Sequence, residues 1–358
     1  MFSIVIIAGG KGERFWPKSV MTKPKQFHKI ISDRTMIQET FFRVYPEIKK
    51  ENIFIVAGER FGSIILEQLP LIKKSNLIVE PEGKNTAPAI GLAAVYLYKK
   101  DPEDIMAVLS ADHVVEPREK FIKALNTAVL SAEKGNLVTF GITPERPATE
   151  YGYIETGQKL QGDFELNVYR VKMFREKPSF EQALKFVEDG SFLWNAGLFT
   201  FKVKSILNAI KEYMPSLYSG LMKIYNSIGA EDENSVKKYE FERFNNISID
   251  YGIMEKAGNI VCVKPDFLWD DVGSWGAVAR HRNADNEGNV VQGNVIMIDS
   301  KNNIVVGEDN SVISLVGISD TIVVKEGDKI LISLRSKDQK VKEVLKVLSR
   351  NKKYLKYR

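Results

Sequence analysis

A glycine-rich stretch near the start of the chain has the residue types needed to hold phosphate groups. The apolar run SIVIIA is followed by AGGKGERFWPKSVMTKPKQF, which contains the glycines Gly9, Gly10 and Gly12 and the cations Arg14 and Lys25. Small residues after a strand let backbone N–H groups approach phosphate oxygens, and cations neutralise their charge. The stretch therefore predicts a phosphate-binding loop, although a tight turn with two surface cations would show the same pattern.

Two familiar phosphate-binding motifs do not fit this stretch. A P-loop has a glycine five residues before its Gly-Lys pair and Ser or Thr after it, whereas Gly10-Lys11 lacks that glycine and is followed by Gly12. A Rossmann fingerprint opens a helix with its third glycine, but Trp16-Pro17 prevents a helix from continuing here. The loop is therefore expected to hold phosphate in another way.

The cysteine and histidine residues do not indicate a metal site. Cys262 is the only cysteine and lies in the apolar stretch NIVCVKP, so we expect an unreactive core residue, and His28, His113 and His281 lack metal-ligand spacing. A catalytic metal should then be a hard cation bound by carboxylates. Asp112 follows the apolar run IMAVLS, where α/β sheets place ligand-binding groups, but an aspartate at a strand end also often caps a turn or helix.

The apolar pattern predicts the elements that position these residues. SIVIIA, NIFIVAG, NLIVE, IMAVLSAD and NLVTFGI are typical of strands, and TMIQETFFRVYP, TAPAIGLAAVYLYKK and KFIKALNTAVLSAEKG are typical of helices. Their alternation predicts an α/β fold, with a mainly parallel sheet covered by helices on both faces.

The pattern changes after about residue 285. Short β-branched runs are separated there by Gly, Asn and Asp, which predicts a small all-β module of stacked strands, such as a few turns of β-helix. The final segment has apolar residues at helical spacing, from Val341 to Leu348. We therefore expect three parts: a catalytic domain over 1–283, a β-helix-like module over 284–336 and a basic amphipathic helix over 337–358.

Composition and charge narrow the classes of partner. The 358 residues are 44% hydrophobic and 27% charged, as in ordinary globular proteins. Neither an apolar run long enough to span a bilayer nor a signal peptide is present, so we expect a cytoplasmic protein without a membrane partner. Residues 337–358 contain nine Lys and Arg against two acids, which leaves the rest of the chain weakly acidic. This indicates a solvated helix face rather than nucleic-acid binding.

Eight motifs together resemble one enzyme family. AGGKGERFWPKSVMTKPKQF is similar to the signature of the sugar-nucleotide pyrophosphorylases, in the form typical of the mannose-1-phosphate guanylyltransferase branch. EPEGKNTAPAIGLAA, SADHVV, EYGYIE, FREKP, WNAGLFTF, SIDYGIMEK and FLWDDVGSWGAV follow in the family's order, and the resemblance spans roughly residues 3 to 348. It implies a Rossmann-like nucleotidyltransferase fold of the GT-A-like type, with a left-handed β-helix-like module and a terminal helix.

The resemblance also implies a reaction and its participants. GTP and mannose 1-phosphate would be the substrates, and GDP-mannose and pyrophosphate the products. The sugar phosphate would attack the α-phosphorus of GTP in line, assisted by Mg²⁺ or another hard divalent cation. A homodimer is a further expectation from the family.

The resemblance assigns roles to residues of this chain. Catalysis is assigned to Arg14, Lys25, Asp112 and Asp271, and the two aspartates would also bind the metal. Nucleotide binding is assigned to Gly9, Gly10, Gly12, Glu80, Asn85 and Thr86. Sugar-phosphate binding is assigned to Gly152, Glu176, Lys177, Asn195 and Asp250. For Asn85 and Thr86, capping of a helix start is the competing interpretation.

Other functions also fit part of the pattern. One alternative is a pyrophosphorylase for another nucleotide and sugar 1-phosphate, such as glucose 1-phosphate. Another is a regulatory subunit that binds a sugar nucleotide without turning it over. A nicotinamide dehydrogenase is a more distant alternative, because the glycine loop departs from the dinucleotide fingerprint.

Overall fold

The computed structural model describes every residue from Met1 to Arg358. Its strands are β1 (Phe2–Ile7), β2 (Ile53–Gly58), β3 (Leu77–Glu80), β4 (Ile105–Ser110), β5 (Val114–Glu116), β6 (Leu137–Ile142), β7 (Tyr153–Lys159), β8 (Asn167–Arg175), β9 (Phe192–Lys202), β10 (Ile260–Lys264), β11 (Leu268–Asp270), β12 (Val290–Gln292), β13 (Asn294–Ile298), β14 (Ile304–Val306), β15 (Val312–Val316), β16 (Thr321–Glu326) and β17 (Lys329–Leu334). Its α-helices are α1 (Met36–Val44), α2 (Gly62–Gln68), α3 (Thr86–Lys100), α4 (Arg118–Glu133), α5 (Phe180–Asp189), α6 (Val203–Tyr213), α7 (Pro215–Ser227), α8 (Glu233–Arg243), α9 (Trp275–Val278) and α10 (Val341–Arg350).

Nine strands form the main sheet, in the order β3-β2-β1-β4-β9-β6-β10-β8-β7. The first four run parallel to one another, and β6 is parallel to β10. β9 is antiparallel to both β4 and β6, and β8 is antiparallel to both β10 and β7. Seven of the nine strands therefore run in one direction, as predicted, but the two reversed strands make the sheet mixed. An apolar run does not specify the direction of a strand, so the sequence did not indicate this reversal.

Helices cover both faces of this sheet, as expected for the α/β class. Val5, Val56 and Val108 belong to a core that also contains residues of α3, α6 and α7. Ile4 and Ile6 alternate with Val5 along β1 and are fully buried as well. Since successive side chains of a strand point to opposite faces, burial of both sets shows that neither face is open to solvent.

The chain divides into two compact units that interrupt each other in sequence. The first unit, Met1–Gly9, Thr40–Ala111 and Val115–Trp269, contains the main sheet. The second unit consists of Gly10–Glu39, Asp112–Val114 and Asp270–Arg358. β1 and β4 end side by side, with Ile7 opposite Ser110, and the chain enters the second unit shortly after each. This division differs from the contiguous boundaries predicted after residues 283 and 336, which stay predictions.

The all-β module in the second unit is built from short stacked strands, as predicted. β12, β14 and β16 pair in parallel, β17 joins β16 antiparallel, and β13 pairs with β15 in parallel. A polar ladder connects successive layers: Asn303 Nδ2 donates to Asn289 Oδ1 at 3.1 Å, and Thr321 N donates to Asn303 Oδ1 at 3.0 Å. Each layer thus satisfies buried polar groups of the next.

The predicted terminal helix is confirmed but is shorter than expected. Val341 and Leu348 of α10 are buried in a core with Phe15 and Trp275. The helix ends at Arg350. The side chain of the next residue, Asn351, accepts a hydrogen bond from the backbone N–H of Lys353 and starts a separate 3-10 turn. None of the helices in the molecule combines the length and the apolar character needed to cross a bilayer.

Candidate active site

The glycine loop turns tightly around Lys25. Gly12 has φ of +59°, and a Cβ atom there would lie 2.5 Å from Lys25 Cβ and 2.8 Å from Ser19 Oγ. Both the left-handed backbone and the close packing require glycine at this position. The chain then makes a single 3-10 turn, Glu13–Phe15, and leaves helical geometry at Trp16. This agrees with the expectation that no helix continues from the loop.

The two preceding glycines lie beside different carboxylates. A Cβ atom at Gly10 would be 3.8 Å from Asp112 Oδ2, within the second unit. A Cβ atom at Gly9 would be 3.6 Å from Glu80 Oε2, within the first unit. Substitution of either glycine would therefore fill space next to a predicted functional carboxylate.

The four predicted catalytic residues line one cavity of about 590 Å³ in the second unit; they are Arg14, Lys25, Asp112 and Asp271. Two further lysines, Lys11 and Lys342, also line it. Lys11 lies inside the glycine loop, so the motif could have suggested it. Lys342 belongs to α10, and its only signal in the sequence is the basic character of the terminal segment.

Lys25 is buried in the wall of this cavity, and its ammonium group contacts three oxygen atoms. Its Nζ lies 2.9 Å from Asp112 Oδ2 and donates to the carbonyl oxygens of Asp271 at 2.9 Å and Val272 at 3.0 Å. The Phe15 ring lies beneath the ammonium group, with its centroid 5.5 Å from Nζ. Lys25 therefore holds the loop that carries Asp271 and places positive charge beside Asp112.

Lys25 keeps Asp112 in its charged form. Burial by itself would raise the pKa of Asp112, but the charges of Lys25 and His113 and the hydrogen bond from Lys25 together outweigh burial, so the pKa lies below the ordinary value. The side chain of Asp112 is 28% exposed. A charged and accessible carboxylate of this kind can bind a hard cation.

Asp270 and Asp271 are adjacent but have different surroundings. Burial would raise the pKa of Asp270, yet hydrogen bonds from His281 and Arg280 outweigh it and the pKa lies far below the ordinary value. His281 Nε2 lies 2.7 Å from Asp270 Oδ2, and Arg280 Nε donates to the same oxygen at 2.8 Å. Asp270 is thus occupied by structural contacts, while Asp271 lines the cavity.

The backbone after Asp271 is strained. Val272 is fully buried and has φ of +45°, a region that β-branched residues rarely adopt, at a cost of about 1–3 kcal/mol. Its N–H donates to Asp270 Oδ1 at 2.8 Å, and its carbonyl accepts from Lys25. These two contacts hold the strained turn.

Arg14 has one buried N–H donor without a hydrogen-bond partner. Its Nη1 donates to the carbonyl oxygen of Gly273 at 3.4 Å, which is a long hydrogen bond. Its Nε is buried and has no hydrogen-bond partner. Because an unpaired buried donor is costly, this group is suited to take an anionic ligand as its partner.

Glu80 in the first unit is a buried carboxyl group, and one of its oxygen atoms lacks a hydrogen-bond partner. It is 3% exposed, and burial raises its pKa to about 7. Its Oε1 is buried without a hydrogen-bond partner. A ligand that offers hydrogen-bond donors would satisfy this oxygen.

Asn85 and Thr86 have the structural role that the sequence left open. Asn85 is the N-cap of α3, and its Oδ1 accepts from Thr86 N at 2.9 Å. Thr86 Oγ1 accepts from Ile249 N at 2.8 Å. Capping of a helix start is thus observed at this position, and a direct contact of either residue with a nucleotide stays a prediction.

The five predicted sugar-phosphate residues form one cluster in the first unit. A Cβ atom at Gly152 would collide with Glu176 Oε2 and lie 3.4 Å from Asn195 Cβ. Lys177 Nζ pairs with Glu176 Oε1 at 2.6 Å, and Asn195 Nδ2 donates to Asp250 Oδ1 at 3.0 Å. Burial, aided by the Glu176 charge, raises the pKa of Asp250 to about 6. The cluster is therefore rich in hydrogen-bonding groups that suit hydroxyls.

Cys262 takes no part in either site. It is fully buried, and burial raises the pKa of its thiol above the ordinary value. A thiol held in its neutral form is a poor nucleophile and metal ligand. The expectation of an unreactive core cysteine agrees with this environment.

Comparisons with known proteins support the predicted family. Residues 3–288 match the family model for nucleotidyl transferases, and residues 293–348 match the MannoseP isomerase/GMP-like beta-helix domain. A mannose-1-phosphate guanylyltransferase of Escherichia coli (strain K12) is 38% identical over 347 residues, which cover 95% of this chain and 72% of that protein. Another from Salmonella muenchen is 36% identical over 352 residues, with 97% of this chain and 73% of that protein covered.

A solved structure extends the similarity to the fold. The crystal structure of a mannose-1-phosphate geranyltransferase from Thermus thermophilus matches with a TM-score of 0.88 and 33% identity, and the match covers 97% of this chain and 99% of that one. The two family models thus cover both the main sheet and the β-module. The chain belongs to the nucleotidyl transferase family, within its mannose-1-phosphate guanylyltransferase branch.

Proposed function

We propose that this chain transfers GMP from GTP to α-D-mannose 1-phosphate and releases GDP-mannose and pyrophosphate. The observation that carries the proposal is the cavity of the second unit, where Arg14 and Lys25 lie with Asp112 and Asp271. His113 also lines this cavity, and its Nε2 lies 4.0 Å from Asp112 Oδ1. The names of the similar E. coli and Salmonella proteins supply the choice of sugar and nucleotide.

The proposed reaction needs charge stabilisation more than proton transfer. An oxygen of the sugar phosphate forms a bond to the α-phosphorus of GTP, while the bond from that phosphorus to the bridging oxygen breaks and pyrophosphate leaves. A phosphate monoester has a second pKa of about 6 and is mostly dianionic near neutral pH, so no protein base is required. Cations must instead stabilise the charge that develops on the phosphates.

In this proposal the glycine loop and its two cations hold the triphosphate. Backbone N–H groups of Gly9, Gly10 and Gly12 bind phosphate oxygens, as in other anion-binding loops. The unpaired Nε of Arg14 supports a phosphate contact for this side chain. Lys25 contributes its charge and fixes the loop through Asp271 O.

The carboxylates of the cavity fit a magnesium ion that is shared with the substrate. No group of three or more His, Cys, Asp or Glu side chains forms a metal site in the structure. Mg²⁺ bound with nucleotide phosphates takes only one or two protein carboxylates, and Asp112 and Asp271 would be those ligands. When bound, the ion would neutralise phosphate charge and orient the α-phosphate.

Glu80 is proposed to read the guanine base. Guanine presents N1–H and its 2-amino group as adjacent donors, which a carboxylate can accept together, whereas adenine lacks this pair. The unpartnered Oε1 of Glu80 supports this role. Asn85 and Thr86 are proposed to act at the nucleotide chiefly by holding the start of α3.

The cluster in the first unit is proposed to bind mannose 1-phosphate. Glu176, Asn195 and Asp250 offer acceptors and a donor for sugar hydroxyls, and Lys177 would pair with the sugar's phosphate. A larger residue at Gly152 would displace the Glu176 carboxylate, which is proposed to bind the hexose.

The deciding experiment is a pyrophosphate-release assay over a matrix of nucleoside triphosphates and sugar 1-phosphates with Mg²⁺. We expect the highest kcat/KM with GTP and mannose 1-phosphate. The Lys25→Met variant, purified in the same way, controls for contaminating enzymes. Higher activity with another pair would replace the substrates and keep the reaction, and a folded protein inactive with all pairs would favour the regulatory alternative.

We further propose a homodimer that associates through the β-module. On the outer face of β13 and β15, Ile296, Ile298, Val312 and Val316 are each more than half exposed. Such an apolar patch on one face is typical of protein interfaces. Light scattering should give twice the mass of the 40.5 kDa chain, and a monomer at all concentrations would contradict this. The cytoplasmic location stays a prediction.

A further inference from the structure

We propose that Lys342, on the C-terminal helix α10, is a further phosphate-binding cation of the catalytic cavity. Its ligand would be the pair of phosphates that leaves as pyrophosphate. The inference rests on the proposed nucleotidyl transfer and extends it to a residue outside the glycine loop. It also gives the basic terminal segment a role beyond that of a solvated face.

The first support is the position of the side chain. Lys342 lines the same cavity as Arg14, Lys25, Asp112 and Asp271. Its side chain is exposed, and no hydrogen bond or ion pair of its ammonium group is present in the structure. Lys342 therefore presents an unpaired positive charge to the cavity, at a position that a charged ligand can reach from solvent.

The second support is the charge balance of the cavity. Lys25 is neutralised by Asp112 and is further engaged by two backbone carbonyls. Without Lys342, the charged residues of the lining are three cations and three carboxylates: Lys11, Arg14 and Lys25, and Glu13, Asp112 and Asp271. A bound Mg²⁺ would add two positive charges, which is fewer than the negative charges of a triphosphate. An additional cation would stabilise both the bound triphosphate and the departing pyrophosphate.

The third support is the rigid attachment of α10 to the cavity wall. Val341 and Leu348 pack in one core with Phe15, which directly follows Arg14. In the 3-10 turn that follows α10, the carbonyl oxygen of Tyr357 accepts a hydrogen bond from Trp16 Nε1 at 2.9 Å. The backbone that carries Lys342 is thus fixed relative to the glycine loop, and only the lysine side chain must be ordered on binding.

A second loop of the cavity is tied to the same segment. Asp338, just before α10, accepts a hydrogen bond from Ser274 Oγ and another from Gly276 N at 3.3 Å. Ser274 lies three residues after Asp271. The C-terminal segment is therefore connected to two of the three loops that supply predicted catalytic residues, the glycine loop and the loop of Asp271.

The leaving end of the triphosphate is the part that suits Lys342. Lys25 is only 4% exposed, whereas Lys342 lies exposed at the rim of the cavity. Pyrophosphate must leave toward solvent, while the α-phosphorus must stay near the carboxylates and the glycine loop. A cation at the rim can hold the departing phosphates without blocking the attack.

The test compares Lys342→Met with Lys346→Met. Lys346 is an exposed lysine one turn later on the same helix and does not line the cavity, so it controls for net charge and for helix stability. Binding of inorganic pyrophosphate is measured by calorimetry with Mg²⁺, and the KM values for the nucleotide and for the sugar phosphate are measured in the forward reaction.

We expect Lys342→Met to weaken pyrophosphate binding and to raise the nucleotide KM by about fivefold, since an exposed ion pair contributes up to about 1 kcal/mol. The KM for the sugar phosphate should not change. The loss should shrink at high salt, and Lys342→Arg should bind pyrophosphate nearly as wild type does. Lys346→Met should bind it as wild type does.

Equal pyrophosphate affinity in wild type and Lys342→Met would overturn the inference, as would an equal loss in Lys346→Met. Inorganic pyrophosphate contains neither base nor sugar, so this result does not depend on GTP and mannose 1-phosphate being the substrates. A wild-type protein that uses another pair would change the proposed function and leave this test intact. A wild-type protein that binds no pyrophosphate would overturn both proposals.

Discussion

Four carboxyl groups at or next to the predicted sites have opposite electrostatic environments in the two compact units. In the second unit, cations and hydrogen-bond donors outweigh burial and hold the pKa values of Asp112 and Asp270 below the ordinary range. In the first unit, burial dominates and raises the pKa of Glu80 to about 7 and of Asp250 to about 6. The difference follows from the presence of a partner cation in one unit and its absence or remoteness in the other.

This contrast matches what each unit is proposed to bind. Carboxylates that stay charged are suited to a divalent cation and to ordering lysine and arginine around phosphates. Carboxyl groups whose pKa values are raised by burial are suited to exchange hydrogen bonds with the uncharged groups of a base or a sugar. Chemistry and recognition are thus assigned to different electrostatic environments, and four substitutions test this assignment.

The largest effect is expected for Lys25→Met. The variant keeps the apolar stem but removes the charge beside Asp112, so kcat should fall about 10²–10³-fold, as for loss of a donor that stabilises developing charge. Steady-state pyrophosphate release measures kcat, and the exposed Lys23→Met is the matched control. Near wild-type turnover in Lys25→Met would show that the cation beside Asp112 is not needed for the chemistry.

An intermediate effect is expected for Glu80→Gln. Loss of the charged acceptor should lower kcat/KM for GTP about tenfold to a hundredfold, the range for a hydrogen bond to a charged group of about 1.5–3 kcal/mol. Activity with ATP should change much less. The exposed neighbour Glu82→Gln is the control.

The pH dependence of GTP binding sharpens this prediction. Burial raises the pKa of Glu80 to about 7, and the protonated carboxyl group has one acceptor fewer for guanine. The wild-type KM for GTP should therefore rise as pH falls from about 8 to about 6, and the KM of Glu80→Gln should stay flat. A parallel rise in both proteins would assign the titration to another group.

The smallest effect is a change of stability with opposite sign in the two units. The pKa of Asp250 is raised from 3.8 to about 6, so its favourable contribution is complete below pH 3.8 and is lost as pH rises through about 6. The pKa of Asp270 is lowered, so its contribution is present above 3.8 and is lost only as pH falls toward its folded value.

At about pH 8 we therefore expect Asp250→Asn to raise the melting temperature and Asp270→Asn to lower it. Each kcal/mol of change in the free energy of unfolding should shift the melting temperature by about 2–4 °C. The gain from Asp250→Asn should disappear by about pH 4, where wild-type Asp250 is largely protonated. Scanning calorimetry of the two variants and wild type at both pH values measures this. Shifts of the same sign at the higher pH would contradict the contrast between the units.

Much of the first unit could be predicted from the sequence, and so could four of the residues that line the cavity of the second unit. The five strands predicted from apolar runs are all present, and α3 covers the predicted run TAPAIGLAAVYLYKK. Arg14, Lys25, Asp112 and Asp271 line one cavity, as a shared catalytic role requires. These features depend on local patterns and on motif residues, which are visible one segment at a time.

Contacts between distant segments could not be predicted in the same way. The reversed β9 and β8 depend on pairing partners far along the chain. The ion pair of Lys25 with Asp112 and its bonds to the carbonyl oxygens of Asp271 and Val272 join three separate segments. The role of Asn85 as a helix cap was one of two interpretations until its partner was known.

The sequence by itself determined the residue types available for phosphate, metal and sugar chemistry, and the alternation of strands and helices that carries them. Only the tertiary structure decided which of those residues are paired, and hence their charge. It also brought Lys342 from the terminal helix to the cavity of the glycine loop. The physical reason is that pKa values and cavity walls depend on distance in space and on burial, and neither is a property of any single segment.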